Sequence, residues 1–254
     1  MIDTRQLAGR LRTIESIAII PRVSSTNLIA RRIVKECIDN ELSLPQAMII
    51  AGEQFAGRGR NQRSWSSPPG KGIYATALLT RSAQEMPFVP LVMATIIAHY
   101  LNDVFDIDAR IKWPNDVMAG GQKIAGILIE ARLQQDHAFM IVGIGVNVEP
   151  VKDDERPNAT SIRDVAASGY QGIENATLRF IEYMDAALSS RFDRDEVLAE
   201  WRRLSIHRAG DRISCNLGDR MVSGTWAGID EHGRALLKDG ERTTAVSAGD
   251  LILT

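Results

Sequence analysis

Two cysteines are all the chain has: Cys37 and Cys215, far apart in 254 residues and in no metal-ligand spacing. That scarcity argues against a disulfide framework and a zinc site, and it fits a reducing cytoplasm. An excess of one charge is missing as well. Lys and Arg total 30 against 32 Asp and Glu, a formal net charge of -2. A general nucleic-acid-binding surface is thereby disfavoured, and any basic site has to be local. No run is long and apolar enough for a membrane span. The most apolar stretch, Phe88 to Leu101, is interrupted by Pro90 and His99 and reads as a buried helix. Asp3, Arg5, Arg10, Arg12 and Glu15 precede any apolar run, unlike a signal peptide. Internal repeats and low-complexity tracts are missing too. What is plentiful is apolar content, 44%, enough to bury a core and to disfavour disorder.

The length suits one large domain, or a medium domain with a small partner. Ser24-Ser25-Thr26-Asn27 precedes Ile29, Ile33, Val34 and Cys37, apolar at helical spacing, and predicts a helix with a Ser or Thr N-cap. Ala47 to Ala51 and Gly72 to Thr80 read as strands, and Pro90 to Val104 as a helix. Ala109 to Glu149 reads as a run of strands, with hairpin turns at Gly120-Gly121 and at Gln134 to His137. Ser161 and Asp164, in capping-box-like spacing, start a short helix. Ala176 to Phe192 and Asp195 to Leu204 are amphipathic helices. Beyond His207 come five short strand-like runs punctuated by Gly218, Gly233, Asp239-Gly240 and Gly249, the texture of a small β-barrel. The predicted domains are therefore 1–206 and 207–254.

Four segments can carry chemistry. Glu53 to Gly72 is long, without periodicity, and contains Gly57-Arg58-Gly59-Arg60-Asn61-Gln62-Arg63-Ser64-Trp65. Its glycines allow close backbone approach and its three arginines can grip phosphate bidentately; the plainer reading is a solvated basic turn. In Lys112-Trp113-Pro114-Asn115-Asp116, Pro114 biases its predecessor toward an extended conformation, a rigid bend at a strand end. Asp116 there can hold magnesium or orient a lysine, Lys112 can neutralise phosphate, and Trp113 is better read as core. Lys123 opens an alternating strand through Glu130 whose Ala125 and Gly126 let a ligand lie close; alone it would be an ordinary edge lysine. Gly143-Ile144-Gly145-Val146-Asn147-Val148 lacks the dinucleotide-binding glycine pattern and the helix after it. Asn147 on so apolar a strand needs a partner, either a ligand or the backbone.

GRGRNQRSW, KWPNDV, KIAGILIE and GIGVNV occur in that order, behind the SSTN segment and Gln54. Each is weak alone. The ordered set, spanning roughly residues 24 to 165, resembles the catalytic domain of biotin–protein ligases, and the C-terminal segment is similar, more loosely, to that family's small SH3-like domain. The resemblance implies an α+β fold: a mixed, largely antiparallel sheet with helices on one side, plus a small C-terminal SH3-like β-barrel. It implies ATP-dependent activation of biotin to biotinyl-AMP and transfer to a lysine of a biotin carboxyl carrier protein, of acetyl-CoA carboxylase or a related carboxylase. Biotin contacts would come from Ser25, Thr26, Asn27, Gln54, Arg58, Gly59, Arg60 and Lys123. ATP contacts would come from Arg60, Trp65, Lys112, Asn115, Asp116 and Asn147. Asp116 would serve Mg²⁺, and Lys123 and Arg60 would be the catalytic pair. A homodimer through an exposed strand edge is a further implication.

Some members of that family carry an N-terminal DNA-binding helix-turn-helix. Here the SSTN segment begins near residue 24, so the expectation is no DNA partner; with the apolar stretch read as a buried helix, no membrane partner is expected either. The related octanoyl transferases use a cysteine nucleophile, and Cys37 and Cys215 lie outside every central motif. Lipoate ligation remains open on fold grounds. Arg60, Lys123 and Asp116 argue against a mere biotin sensor, which would need no phosphate site.

Overall fold

The computed structural model describes residues 7, 9–61, 63–151, 158–189, 192–217, 220–247 and 249–253. Seven strands form the main sheet: β1 (Ser16–Ile20), β2 (Ala47–Ala51), β3 (Gly72–Ser82), β4 (Ala109–Lys112), β5 (Asp116–Ala119), β6 (Gln122–Gln134) and β7 (His137–Asn147). Their order is β1-β2-β3-β7-β6-β5-β4. Only β1 and β2 run parallel; the other neighbours are antiparallel. This is the mixed, largely antiparallel α+β arrangement expected. The Gly120-Gly121 turn joins β5 to β6 with both residues at positive φ, 55° and 79°, a backbone whose twist suits a two-residue hairpin.

Side chains alternate across a sheet, and here the alternation sorts them into two cores. Met48, Ile50, Leu79, Met140 and Val142 face one side, and Ile49, Leu78, Phe139 and Ile141 the other. Helix α2 (Val89–Phe105) lies on the first side with α4 (Ile173–Ser189) and α5 (Arg194–Leu204). Contrary to the expectation of too short a run, Met86–Phe105 is long and apolar enough to cross a membrane by length and composition; it is apolar nearly all round because α2 is sandwiched between sheet and helices, as the buried-helix reading has it. Helix α1 (Thr26–Asp39) packs on the second side through Ala30, Val34 and Cys37. Helices on one side only is therefore incorrect: α1 covers the opposite face over β2, β3 and β7. The short α3 (Ile162–Val165) starts at Ser161, whose hydroxyl accepts from the Asp164 N–H, as its spacing predicts. No expectation covered β1, a half-exposed edge strand.

The C-terminal segment forms a separate five-stranded antiparallel sheet: β8 (Arg212–Asn216), β9 (Met221–Ile229), β10 (Ala235–Asp239), β11 (Arg242–Val246) and β12 (Asp250–Leu253). Its order is β11-β10-β9-β8-β12, and its edges β11 and β12 do not pair among the described residues. The closed barrel expected for 207–254 is thus absent from the pairing pattern. Gly218, expected to punctuate these strands, lies outside the described residues. Ile213, Cys215, Trp226 and Leu237 join the same apolar cluster as α2 and α5, so the small sheet is packed onto the large one.

Candidate active site

A cavity of about 260 Å³ opens on the α1 side of the main sheet, beyond the N-terminus of that helix. All thirteen residues singled out from the sequence line it. Its floor is a glycine strip, Gly126 on β6 with Gly143 and Gly145 on β7, with Gly126 directly opposite Gly145 in the ladder. The strip must be bare. A Cβ at 143 would overlap the Asn27 Oδ1 atom, one at 145 the Trp65 indole, and one at 126 would come within 2.9 Å of that same ring.

One half of the cavity is uncharged and polar, with Ser25, Thr26 and Asn27 buried and Gln54 half-buried. Ser25 occupies the N-cap position of α1, but its hydroxyl does not bond to the helix. The first-turn N–H of Thr26 is instead accepted by Gln54 Oε1 at 2.8 Å, which also takes the Thr26 hydroxyl at 3.1 Å. A cap supplied from another segment ties the helix end to the loop that follows β2. Gln54 Nε2 donates to Ser67 at 2.9 Å. Thr76, on β3, lies 2.7 Å from both the Thr26 hydroxyl and Asn27 Oδ1. Asn27 Nδ2 donates to Glu130 at 3.1 Å, and Glu130 in turn pairs with Arg31 one helical turn along α1. The result is one continuous chain of hydrogen bonds under the cavity, with each amide oriented by its neighbours.

The other half is charged. Strand β4 ends at Lys112, a turn through the cis Trp113–Pro114 peptide follows, and β5 begins at Asp116, directly across the ladder from Lys112. Trp113 is core, 2% exposed, as its sequence context suggests. Asp116 orients a lysine: its carboxylate lies 2.6 Å from Lys123 Nζ. That ammonium also sits 5.3 Å from the centroid of the Trp65 ring, a cation–π distance. The Lys123 backbone is held by Asn158 O and the Thr160 N–H, so this is no free edge lysine. Asn147 finds the backbone: Nδ2 donates to Thr160 O at 3.0 Å.

The arginine loop is folded rather than merely solvated. Gly59 N–H bonds Arg63 O and Trp65 N–H bonds Gly57 O, a miniature hairpin with Asn61 at positive φ near its tip; Gln62 lies outside the described residues. Gly57 is needed because a Cβ there would strike Trp65 O. Arg60 reaches across the cavity to two neutral acceptors, Asn115 Oδ1 at 3.0 Å and Gly249 O at 3.1 Å. The indole N–H of Trp65 is buried without a partner among the described residues, an orphan donor beside the cavity.

Among the described lining residues the cations are Arg58, Arg60, Arg63, Lys112 and Lys123, and the one carboxylate is Asp116. A chain of net charge -2 thus concentrates positive field at one place. No group of three His, Cys, Asp or Glu suited to a metal occurs among the described residues. The donor set fits a magnesium ion carried mainly by phosphate oxygens, with Asp116 at most one further ligand.

Thr76 and Glu130 were not singled out from the sequence, yet both hydrogen-bond to residues that line the cavity. A threonine between Ala75 and Ala77 reads as ordinary strand filler. Glu130 closes a quoted motif, but only the fold shows that it faces Asn27.

Comparisons with known proteins agree with this architecture. Residues 19–147 match the biotin/lipoate A/B protein ligase family. The biotin–[acetyl-CoA-carboxylase] ligase of Mycobacterium tuberculosis is 30% identical over 97% of this chain and 92% of its own length. The bifunctional ligase/repressor BirA of Bacillus subtilis is 28% identical over 81% of this chain, which spans 66% of that protein. A biotin protein ligase from Aquifex aeolicus, solved with biotin and ATP, superposes with a TM-score of 0.73 at 25% identity, covering 95% of this chain and 99% of that one. On this evidence the chain belongs to the biotin/lipoate A/B protein ligase family.

Proposed function

We propose that the chain is an ATP-dependent biotin–protein ligase. One observation carries the reading: an uncharged cradle of buried Ser25, Thr26 and Asn27 with half-buried Gln54, backed by Thr76, abuts five cations opposed by a single carboxylate. A ureido ring, with one carbonyl and two N–H groups, suits the cradle. A carboxylate and a triphosphate, two anions, suit the charged half. Lipoate has no ureido group and would leave buried donors and acceptors unmatched. Neither Cys37 nor Cys215 lines the cavity, and both are buried, which disfavours an acyl-cysteine route.

In this reading a carboxylate oxygen of biotin attacks the α-phosphorus of ATP, the bond to pyrophosphate breaks, and biotinyl-AMP results. Lys123 and Arg60 stabilise charge where the two anions meet. Arg58, Gly59 and Arg60 belong to the covering loop, and Trp65, Lys112, Asn115, Asp116 and Asn147 surround the nucleotide. Bound Mg²⁺ would offset phosphate charge. The ε-amine of a carrier lysine then attacks the acyl carbon and AMP leaves. The partner is a biotin carboxyl carrier protein in a reducing cytoplasm, with neither DNA nor membrane involved. Strand β1 offers the outer edge a homodimer would use. We place the domain boundary between 206 and 207 and read the C-terminal sheet as SH3-like on the strength of its five short antiparallel strands. The test is ATP–pyrophosphate exchange without carrier. Biotin should drive it; exchange driven by lipoate or octanoate and not by biotin overturns the reading.

A further inference from the structure

The turn that carries Lys112, Asn115 and Asp116 is gripped from the C-terminal side of the molecule. Ile206 N–H bonds Ile111 O at 2.9 Å, extending β4 by one parallel bridge between Ile111 and Ser205. The next N–H along β4 is that of Trp113. It is accepted not by a carbonyl but by His207 Nε2, at 3.1 Å. The Trp113 indole N–H is accepted by Gly233 O at 3.0 Å. The imidazole is 5% exposed and stacked 4.7 Å from Trp226; the His207 backbone N–H is fixed to Ser205 Oγ at 3.1 Å, and Nδ1 is buried with no partner among the described residues. An imidazole whose Nε2 accepts must carry its proton on Nδ1 or lose the bond. The site's neutral half is built instead on α1, β3 and the loop after β2.

We propose that His207 is a positioning residue for the nucleotide half of the cavity. Its Nε2 lone pair holds the Trp113 N–H and so sets where the turn presents Lys112, Asn115 and Asp116. The proposal rests on the ligase reading for its kinetic consequence, but not for its geometry. His207 touches neither substrate; it acts through the backbone of Trp113. A leucine of similar bulk would leave that N–H buried and unmatched, and the turn would move to satisfy it. A glutamine can offer Oε1 in place of Nε2.

The test has two arms. In wild-type protein, ¹⁵N NMR of the imidazole should show the Nδ1–H tautomer with Nε2 as acceptor, whatever the activity. An Nε2–H tautomer overturns the proposal, and it does so even if His207→Leu fails to fold. In the second arm, His207→Leu should raise the KM for ATP about tenfold with the KM for biotin nearly unchanged, and speed exchange of the Trp113 amide; one lost hydrogen bond of about 1.4 kcal/mol corresponds to that factor. His207→Gln should restore both. A folded His207→Leu with an unchanged KM for ATP, or with both KM values raised equally, overturns the proposal. If wild type shows no biotin-dependent exchange of pyrophosphate, the functional reading fails, while the tautomer and the Trp113 amide still decide the role of His207.

Discussion

Replacing Gly143 by alanine adds one methyl group at the most crowded point of the floor. That methyl would overlap Asn27 Oδ1, so the amide must retreat by about an ångström. Asn27 has nowhere to go: it is 4% exposed, donates to Glu130 at 3.1 Å and accepts from Thr76 at 2.7 Å. Overpacking costs about 1–3 kcal/mol, and each broken hydrogen bond roughly 1 kcal/mol more. The alanine recovers about 0.4–1 kcal/mol by restricting the unfolded chain. The net expectation is a loss of about 2–4 kcal/mol, roughly 5–15 °C in Tm for a chain of this size. Biotin affinity should fall with it, because the displaced amide no longer presents its atoms to the cradle. The decisive assay is a double-mutant cycle. In an Asn27→Ala background the methyl at 143 has room, so Gly143→Ala should there be close to neutral in thermal or urea unfolding. The cycle should return a coupling of about 2 kcal/mol or more. Equal costs in the two backgrounds would refute the claim that Gly143 is bare because Asn27 needs the space.

Lys123→Ala should cost about 10²–10³ in biotin-driven pyrophosphate exchange, the usual loss for one preorganised electrostatic contact; it also leaves Asp116 facing the phosphates without the ammonium now 2.6 Å away. Near-normal exchange by a folded variant removes Lys123 from the chemistry. Arg60→Gly loses both the bond to Asn115 and the strut to Gly249 O, so biotinyl-AMP should still form but escape about tenfold to a hundredfold more readily. Mixing the variant with biotin, ATP and an unrelated lysine-rich protein should give nonspecific labelling above wild type, and labelling no greater than wild type counts against a retaining role. His207 is held neutral: burial, then the nearby Lys112 ammonium, push its pKa from 6.5 down to about 4, with Asp211 opposing. A depressed histidine contributes stability that is complete above pH 6.5 and is lost as pH falls toward 4, about 3 kcal/mol in all. Urea unfolding of wild type against His207→Gln across that window should show the difference change by that amount, and a constant difference would contradict it.

Much of the main sheet was legible because its signals are local. Gly120-Gly121 demands positive φ, Ser161 and Asp164 bracket a cap, and the run from Val89 to Phe105 is long, apolar and free of charge until its end. What stayed hidden depends on contacts between segments far apart. Strand β1 shows no alternation strong enough to mark it, and it exists because β2 offers an edge to pair with. Which face α1 covers is decided by the parity of Leu78 against Leu79, and sequence alone does not say which parity faces which helix. The closed barrel was inferred from texture, and texture counts strands without showing whether the last meets the first.

The candidate site divides along the same line. Arg60, Lys123 and Asp116 carry charge in short motifs and draw attention by themselves; what the fold adds is that Asp116 spends its charge orienting Lys123. The neutral half is the reverse case. Thr76, Asn27 and Glu130 are unremarkable as residue types and lie on β3, α1 and β6, yet hydrogen bonds of 2.7 to 3.1 Å join them. Charge declares itself because an unpaired ion is costly wherever it sits, whereas an amide or hydroxyl becomes informative only once burial makes its partners obligatory. The glycine strip links the two halves. Gly143 makes room for Asn27, and Gly145 for Trp65. A single run of β7 thus seats the neutral cradle and the charged loop side by side.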